Sequence, residues 1–346
     1  MRLRFDLFED LQVVAVVDHV EDYRDNGITV VATGENHASH VTLTIEGGTL
    51  FASLALPGLG DVEVEPYSSN TLLVSQYSSR RAVTCRASGR TIARPPALPP
   101  PTNDQPTQID VGVLYTTAVK DNEATLQQKL DTWATHSSKY LTCSGVNARV
   151  NVVKLMKLDF NETGKLTDDL AALNSPATPH GQKVLQFRKD NQADVVLVLV
   201  AVGDGSGIAN IFDSETPGEF RDVATAVVVR GAAFGHVLLH ELGHTMGGGH
   251  QPPGHGRFSY SHGNVIDDKP HDHVTIMATG SGNRLPLFAG PNVQFGNGAT
   301  GSKSRDIVRT LNETRAAIEG LQQSMRPPTP AVPCSTNLYP RLTKRR

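Results

Sequence analysis

Residues 240–250 read His-Glu-Leu-Gly-His-Thr-Met-Gly-Gly-Gly-His, and their spacing decides how the rest of the chain is read. His240 and His244 are four apart, so on a helix both imidazoles project from one face and can share a metal ion. Glu241 adjoins the first of them, where its carboxylate can reach water at that ion without ligating it. Gly247 permits a left-handed turn that ends the helix, and the chain can then swing His250 back as a third nitrogen ligand. Three neutral imidazoles with one open position describe a catalytic zinc site, because a structural site would be closed by four protein ligands. The plainer alternative is an ordinary buried helix rich in histidine.

The eleven residues follow H-E-x-x-H-x-x-G-x-x-H, the metzincin pattern, which also requires a downstream Met-turn. Val274-Thr275-Ile276-Met277-Ala278 supplies it, with Met277 as an apolar floor under the zinc. Two further stretches, 283–293 and 309–314, strengthen the match. Together they resemble the reprolysin-like metzincins, and most of all the bacterial-type peptidyl-Asp metalloendopeptidases. The resemblance covers about residues 108–325 and is strongest from Phe234 onward. It departs at Gln251, where many reprolysins place Asp after the third histidine.

Composition narrows the classes around that match. The 346 residues suffice for two domains, and the catalytic half alone can bury a substantial core. A net charge of -3 on a mixed surface gives no case for nucleic acid or membrane partners. The longest apolar run, residues 195–202, suits a buried strand and is too short for a membrane span. At the start of the chain Asp6, Glu9 and Asp10 interrupt before any apolar stretch forms, so no secretory signal peptide is read there. The family resemblance nevertheless implies a secreted, extracellular zymogen. Three cysteines, Cys85, Cys143 and Cys334, are too few for a disulfide scaffold and leave at least one thiol unpaired if the others join.

The expected organisation is a β-rich propeptide-like domain over residues 1–86, a Pro-rich linker over 87–107, a zinc-peptidase domain over 108–325, and a Pro-rich, basic tail over 326–346. Residues 41–45, 50–54 and 62–66 alternate at period two between glycine turns, as small β-strands do. An unrelated β module would read the same way. Residues 94–106 are crowded with proline, which favours extended chain open to proteases, and Arg80-Arg81 is a second plausible processing point. Beyond them, strands are expected at 109–115, 150–158, 195–202, 207–211 and 225–229. Helices are expected at 126–141, at 234–246 and from Ile307 to the region of Leu321. Such alternation argues for an α/β (α+β) fold, a mixed twisted sheet with helices packed on it and the zinc-binding helix among them.

The resemblance assigns roles. His240, His244 and His250 hold one zinc ion, and Glu241 is the general base for peptide-bond hydrolysis. In metzincins the peptide substrate adds to an edge strand, here Gly207, Ile208, Ala209 and the two residues after them. Residues 279–287 would wall the pocket beyond the scissile bond. The peptidyl-Asp branch implies an acidic residue there, with Arg284 as its cationic partner; alternatively Arg284 is a surface residue or pairs with an acidic neighbour. Cys85 could fill the open zinc position as a thiolate and keep the enzyme latent, leaving Cys143 and Cys334 to pair. It reads equally as a buried apolar residue or as a cysteine that pairs elsewhere.

The remaining candidates have bland readings beside the sharp ones. His236 is a packed helix residue, His262 orients the site from behind the ligands, and His255 would be an alternative ligand only if His250 were not already at the required spacing. Asp267, Asp268 and Asp272 could take calcium but lack the spacing of an EF-hand loop. Peptides and proteins are the expected partners. A catalytically weak zinc-binding interaction or toxin-like module on the same fold is the alternative, and retention of Glu241 argues against it, since zinc binding does not need that carboxylate.

Overall fold

Hairpin follows hairpin through the first part of the chain. Strands β1 (Arg2–Phe8), β2 (Leu11–Tyr23), β3 (Gly27–Gly34), β4 (His40–Glu46), β5 (Thr49–Leu56), β6 (Gly60–Ser68) and β7 (Thr71–Tyr77) form one sheet in sequence order, each antiparallel to the next. The β4–β5 turn shows why sequence fixes register here. Glu46 pairs with Thr49, and Gly47 and Gly48 between them have φ of 56° and 78°. Two successive positive φ values make the tight turn whose twist matches that of paired strands, and glycine adopts them without a Cβ clash. One face of this sheet, including Val30, Ala32, Val41, Leu43, Leu54 and Val62, forms an apolar core of its own.

The computed structural model describes residues 1–8, 11–23, 27–35, 39–56, 60–68, 71–77, 85–88, 106–214, 216–267 and 272–322. Most of the expected linker, the Arg80-Arg81 pair, Asp268, Cys334 and the expected 326–346 tail lie outside these residues. Cys143 is disulfide-bonded.

A second, six-stranded sheet organises the remainder. It is built from β8 (Cys85–Ser88), β9 (Thr107–Thr116), β10 (Ala148–Leu158), β11 (Val195–Val200), β12 (Gly207–Asn210) and β13 (Thr225–Val229), in the order β10-β9-β11-β13-β12-β8. The first four in that order run parallel; β12 turns antiparallel to β13, and β8 lies parallel to β12 at the edge. Strand β11 is apolar throughout because both its faces are covered. Val195, Leu197 and Leu199 join the larger core, with helices α1 (Glu123–Cys143), α5 (Leu238–Thr245) and α6 (Ile307–Glu319). Val196, Val198 and Val200 point the other way, onto α2 (Leu166–Asn174) and α3 (Pro179–Asn191). The short α4 (Pro217–Arg221) precedes β13. The mixed helix–sheet unit and the N-terminal all-β segment therefore stand as expected.

Three differences are informative. The helix expected over 234–246 is broken: residues Ala233–Val237 form a π-turn with Gly235 at φ -68° and ψ -141°, and regular helix starts only at Leu238. Helices α2 and α3 are additions, although α3 carries a legible start, with Thr178 Oγ1 accepting from Gly181 N at 2.9 Å and Pro179 in the first turn. Finally, Ala87 and Ser88, read as the beginning of the linker, continue strand β8.

Candidate metal centre

Helix α5 is buried along its whole length, so everything it carries is held by packing. His240, Glu241 and His244 lie on it, and it stops where Gly247 takes φ of 93°. Gly247 N donates to His244 O and Gly248 N to Gly243 O, which satisfies carbonyls the helix would otherwise leave open. The chain then reverses, and His250 returns to the two helical histidines. The Nε2 atoms stand 3.1 Å apart for His240–His250, 3.2 Å for His240–His244 and 3.0 Å for His244–His250.

Three nitrogens at such distances are a ligand set. His240 Nδ1 lies 2.6 Å from Ile276 O and His244 Nδ1 lies 2.7 Å from Gly248 O. A carbonyl only accepts, so each Nδ1 carries the proton and each Nε2 presents a lone pair to the common point. Tetrahedral zinc with Zn–N of about 2.0–2.1 Å needs nitrogens about 3.3–3.4 Å apart, close to the spacing found. Burial, followed by His244 and His250, holds His240 well below the ordinary histidine value. Burial likewise takes His244 down to about 3 and His250 down to about 4. All three are neutral at pH 7, the form that binds metal. Among the described residues this is the one His/Cys/Asp/Glu group with metal-ligand geometry, so neither His255 nor Asp267 and Asp272 join such a site.

The groups around the triad divide into floor, wall and edge. Met277 is fully buried, and its sulfur packs on the α-carbon of Gly243, one residue before His244. Glu241 is also fully buried. Its Oε1 approaches Gly207 so closely that a Cβ there would sit 2.5 Å away. Glu241 and strand β12 are thus in direct contact, with glycine at the junction; β12, expected at a sheet edge, is instead flanked by β13 and β8. On the far side of β12, Cys85 is the register partner of Gly207, Arg86 of Ile208 and Ala87 of Ala209.

Arg284 belongs to a three-stranded patch made by β14 (Val265–Ile266), β15 (His273–Val274) and β16 (Asn283–Arg284). It is buried, not a surface residue. Its Nη1 donates to Ala278 O at 3.2 Å and Nη2 to Gly280 O at 3.4 Å, and its charge bears on His240. Opposite it, Gln251 pairs with Thr279: Nε2 donates to Thr279 O at 3.0 Å and Thr279 N donates to Oε1 at 2.9 Å. Residues 278–280 are therefore pinned from both sides. That role of Gln251 was not legible in the sequence, where it stood out only as a departure from a pattern. His262 Nδ1 lies 2.9 Å from His250 O, behind the third ligand as expected, and His236 packs against Tyr140.

A family model described as metallo-peptidase family M12 matches residues 106–289, more than half of the chain. No curated protein sequence matches it. Among solved structures, one titled "Structure of a chaperone-substrate complex" is 14% identical over 79% of this chain, with a TM-score of 0.51, and the match spans 39% of that structure's own chain. A metalloproteinase-II crystal structure from Bacteroides fragilis is 12% identical, with a TM-score of 0.40, covering 69% of this chain and 78% of the other.

Proposed function

We propose, from the premise that this chain belongs to metallopeptidase family M12, that it is a zinc-dependent endopeptidase made in a latent form. The observation that carries the reading is the convergence of three neutral imidazoles beside a buried carboxylate that abuts strand β12. His240, His244 and His250 would hold the ion. Zinc, when bound, would act as a Lewis acid, lowering the pKa of a water toward ~7 and polarising a carbonyl oxygen. Glu241 takes a proton from water and delivers it to the leaving amine nitrogen. Its contact with Gly207 fixes the carboxylate relative to the strand on which the peptide lies. Gly207, Ile208 and Ala209 would hold substrate backbone by strand addition, which is indifferent to side chains. Met277 keeps the floor beneath the ligands apolar.

Specificity in this proposal comes from Arg284. A guanidinium held against the pocket wall favours a carboxylate after the scissile bond, by charge and by paired hydrogen bonds that lysine does not reproduce.

Latency comes from residues 1–86 acting as a propeptide ahead of a cleavable linker. Strand β8 supports this, because it occupies the edge of β12 that substrate needs. Cys85, whose backbone pairs with Gly207, is the residue proposed to compete as a thiolate for the open metal position. Secretion fits a latent protease; no helix among the described residues is long and apolar enough to cross a membrane. The rival, a zinc-binding module without catalysis, leaves the buried Glu241 without a purpose.

Casein hydrolysis before and after limited nicking of the linker, each with and without chelator, tests the proposal. The expected result is activity that appears on nicking, disappears with chelator and returns with zinc. Chelator-resistant hydrolysis, or none in the zinc-loaded nicked protein, would reject it.

A further inference from the structure

The N-terminal sheet meets helix α1 through a largely polar face, on which Phe51 and Ala55 are the buried apolar exceptions. Side chains alternate along each strand, so the apolar set that includes Val41, Leu43 and Leu54 faces away into the sheet's own core. The set facing α1 includes Thr33, His40, Thr44, Ser53 and Glu63. Thr44 Oγ1 lies 3.1 Å from Thr132 Oγ1, and Gln128 Nε2 donates to Glu46 at 3.2 Å. Lys139, fully buried on α1, donates to Asp18 at 2.7 Å, to Thr33 Oγ1 at 3.1 Å and to Ala32 O at 3.4 Å. Lys129, also buried, pairs with Glu63 at 3.4 Å and with Glu65. A cavity of about 20 Å³, room for roughly one water, remains between Phe51, Glu63, Lys129, Trp133, His136 and His236.

Such a seam is built to separate. Interfaces between domains that move apart are more polar than permanent ones. A buried ion pair adds little net stability, since desolvation offsets most of its Coulomb attraction. Most of the module's buried apolar residues lie in its own core, with Ala55 joining that of α1.

His40 gives the seam a trigger. It is fully buried, and neither ring nitrogen has a hydrogen-bond partner among the described residues. Its ring stands edge-on to Tyr140 at 5.7 Å, and Tyr140 stacks with His136 at 5.6 Å and with His236 at 5.9 Å. The charged groups facing it are Lys139 and His136 on α1 and, through Lys139, Asp18 on β2. A proton on His40 would add a cation beside the Lys139 ammonium, with no acceptor for its N–H groups.

We propose that the N-terminal β-module docks reversibly on α1 and that proton uptake by His40 releases it in mildly acidic solution. Burial, then Lys139 and His136, hold docked His40 well below its ordinary value of 6.5, whereas a released His40 regains that value. The released state therefore binds more protons as pH falls through 6.5, and acid favours it. Glu63 works in the opposite sense, because burial raises its pKa and the docked state takes up its proton more readily. Comparison with a His40 variant isolates the His40 contribution from that opposition. Release would also withdraw the tether that keeps β8 at high effective concentration beside β12. The inference stands on the seam alone and holds whatever the metal site does.

Trp133, the single tryptophan, lines the seam and reports on it directly. Urea titrations of the full chain, with zinc in excess and in a Glu241→Gln background that prevents self-cleavage, would follow Trp133 emission for release and far-UV circular dichroism for unfolding. Between pH 7.5 and 5.0 the docking constant should fall about 30-fold more in the parent than in His40→Gln, with the Trp133 transition moving ahead of the circular dichroism transition. His40→Phe, which keeps an aromatic edge on Tyr140 and cannot titrate, should match His40→Gln and serves if the latter does not fold. Equal pH dependence in parent and variant, or Trp133 and dichroism transitions that coincide at every pH, would overturn the proposal.

Discussion

Adding one methyl group at Gly207 tests how tightly strand β12 and the Glu241 carboxylate are coupled. A Cβ built there falls 2.5 Å from Glu241 Oε1, 2.8 Å from Cδ and 2.9 Å from Cγ. Ordinary contact begins near 3.4 Å, so something must retreat by about 0.9 Å. The strand is poorly placed to do so, because Gly207, Ile208 and Ala209 are paired with Val228, Val227 and Ala226. The backbone of α5 is equally confined, being buried along its length. The Glu241 side chain must therefore swing, carrying its carboxylate away from the triad. Misplacement by about 1 Å costs on the order of 10²-fold in rate, or about 2.7 kcal/mol of barrier. Zinc content should be unchanged, since the three atoms nearest a Cβ at Gly207 all belong to Glu241, which is not a ligand. Unfolding stability should fall by about 1–3 kcal/mol because a buried side chain is forced to move, with no backbone strain added, since Gly207 is not among the positive-φ glycines. The assay is kcat/KM of the nicked Gly207→Ala enzyme on a quenched peptide, with metal content measured on the same sample. Activity within threefold of the parent would refute the coupling, as would loss of zinc in step with activity.

Met277→Leu should keep zinc and cost less than about 1.5 kcal/mol in unfolding stability, because an apolar side chain of similar volume still packs on Gly243; loss of metal would contradict that. Arg284→Ala should reduce kcat/KM for peptides with Asp after the scissile bond by ~2–4 kcal/mol more than for peptides with Leu there, and equal losses would remove the acidic-pocket assignment. Burial lifts Asp194 to about 8 in the folded chain against an ordinary 3.8, so its contribution is present below 3.8 and is lost as pH rises through about 8. Urea unfolding should accordingly show stability declining from pH 4 to pH 8 relative to Asp194→Asn, and parallel pH profiles for the two proteins would show that Asp194 ionises normally.

How much of this was legible in the sequence depends on whether local spacing or distant chain decides the feature. His240, His244 and His250 were readable because helical pitch and one left-handed glycine determine where their rings go. Strand β11 was readable because an unbroken apolar run must be covered on both faces. Helices α2 and α3 were not, since their apolar positions are few and they become regular only against the buried face of β11. The kink at Gly235 was hidden inside a helical pattern, because nothing local marks a non-helical ψ. The carbonyls that orient the ligands, Ile276 O and Gly248 O, have no signature in residue type. The pairing of β8 with β12 and the polar seam at α1 join residues far apart in the chain, so a single sequence offers no register for them. Arg284 was picked out as a charge near the pocket wall, but its partners, Ala278 O and Gly280 O, are backbone atoms that only the folded loop reveals.

The central claim is that His240, His244 and His250 hold a catalytic zinc while Glu241 moves the proton. Metal content and peptide hydrolysis measured side by side for the nicked parent and Glu241→Gln test it most directly. The account predicts one zinc per chain in both proteins, with hydrolysis lower by about 10²–10⁴-fold in Glu241→Gln. A variant that keeps more than about a tenth of parent activity, above the loss expected for removing a general base, would contradict the account, as would a parent that binds no zinc.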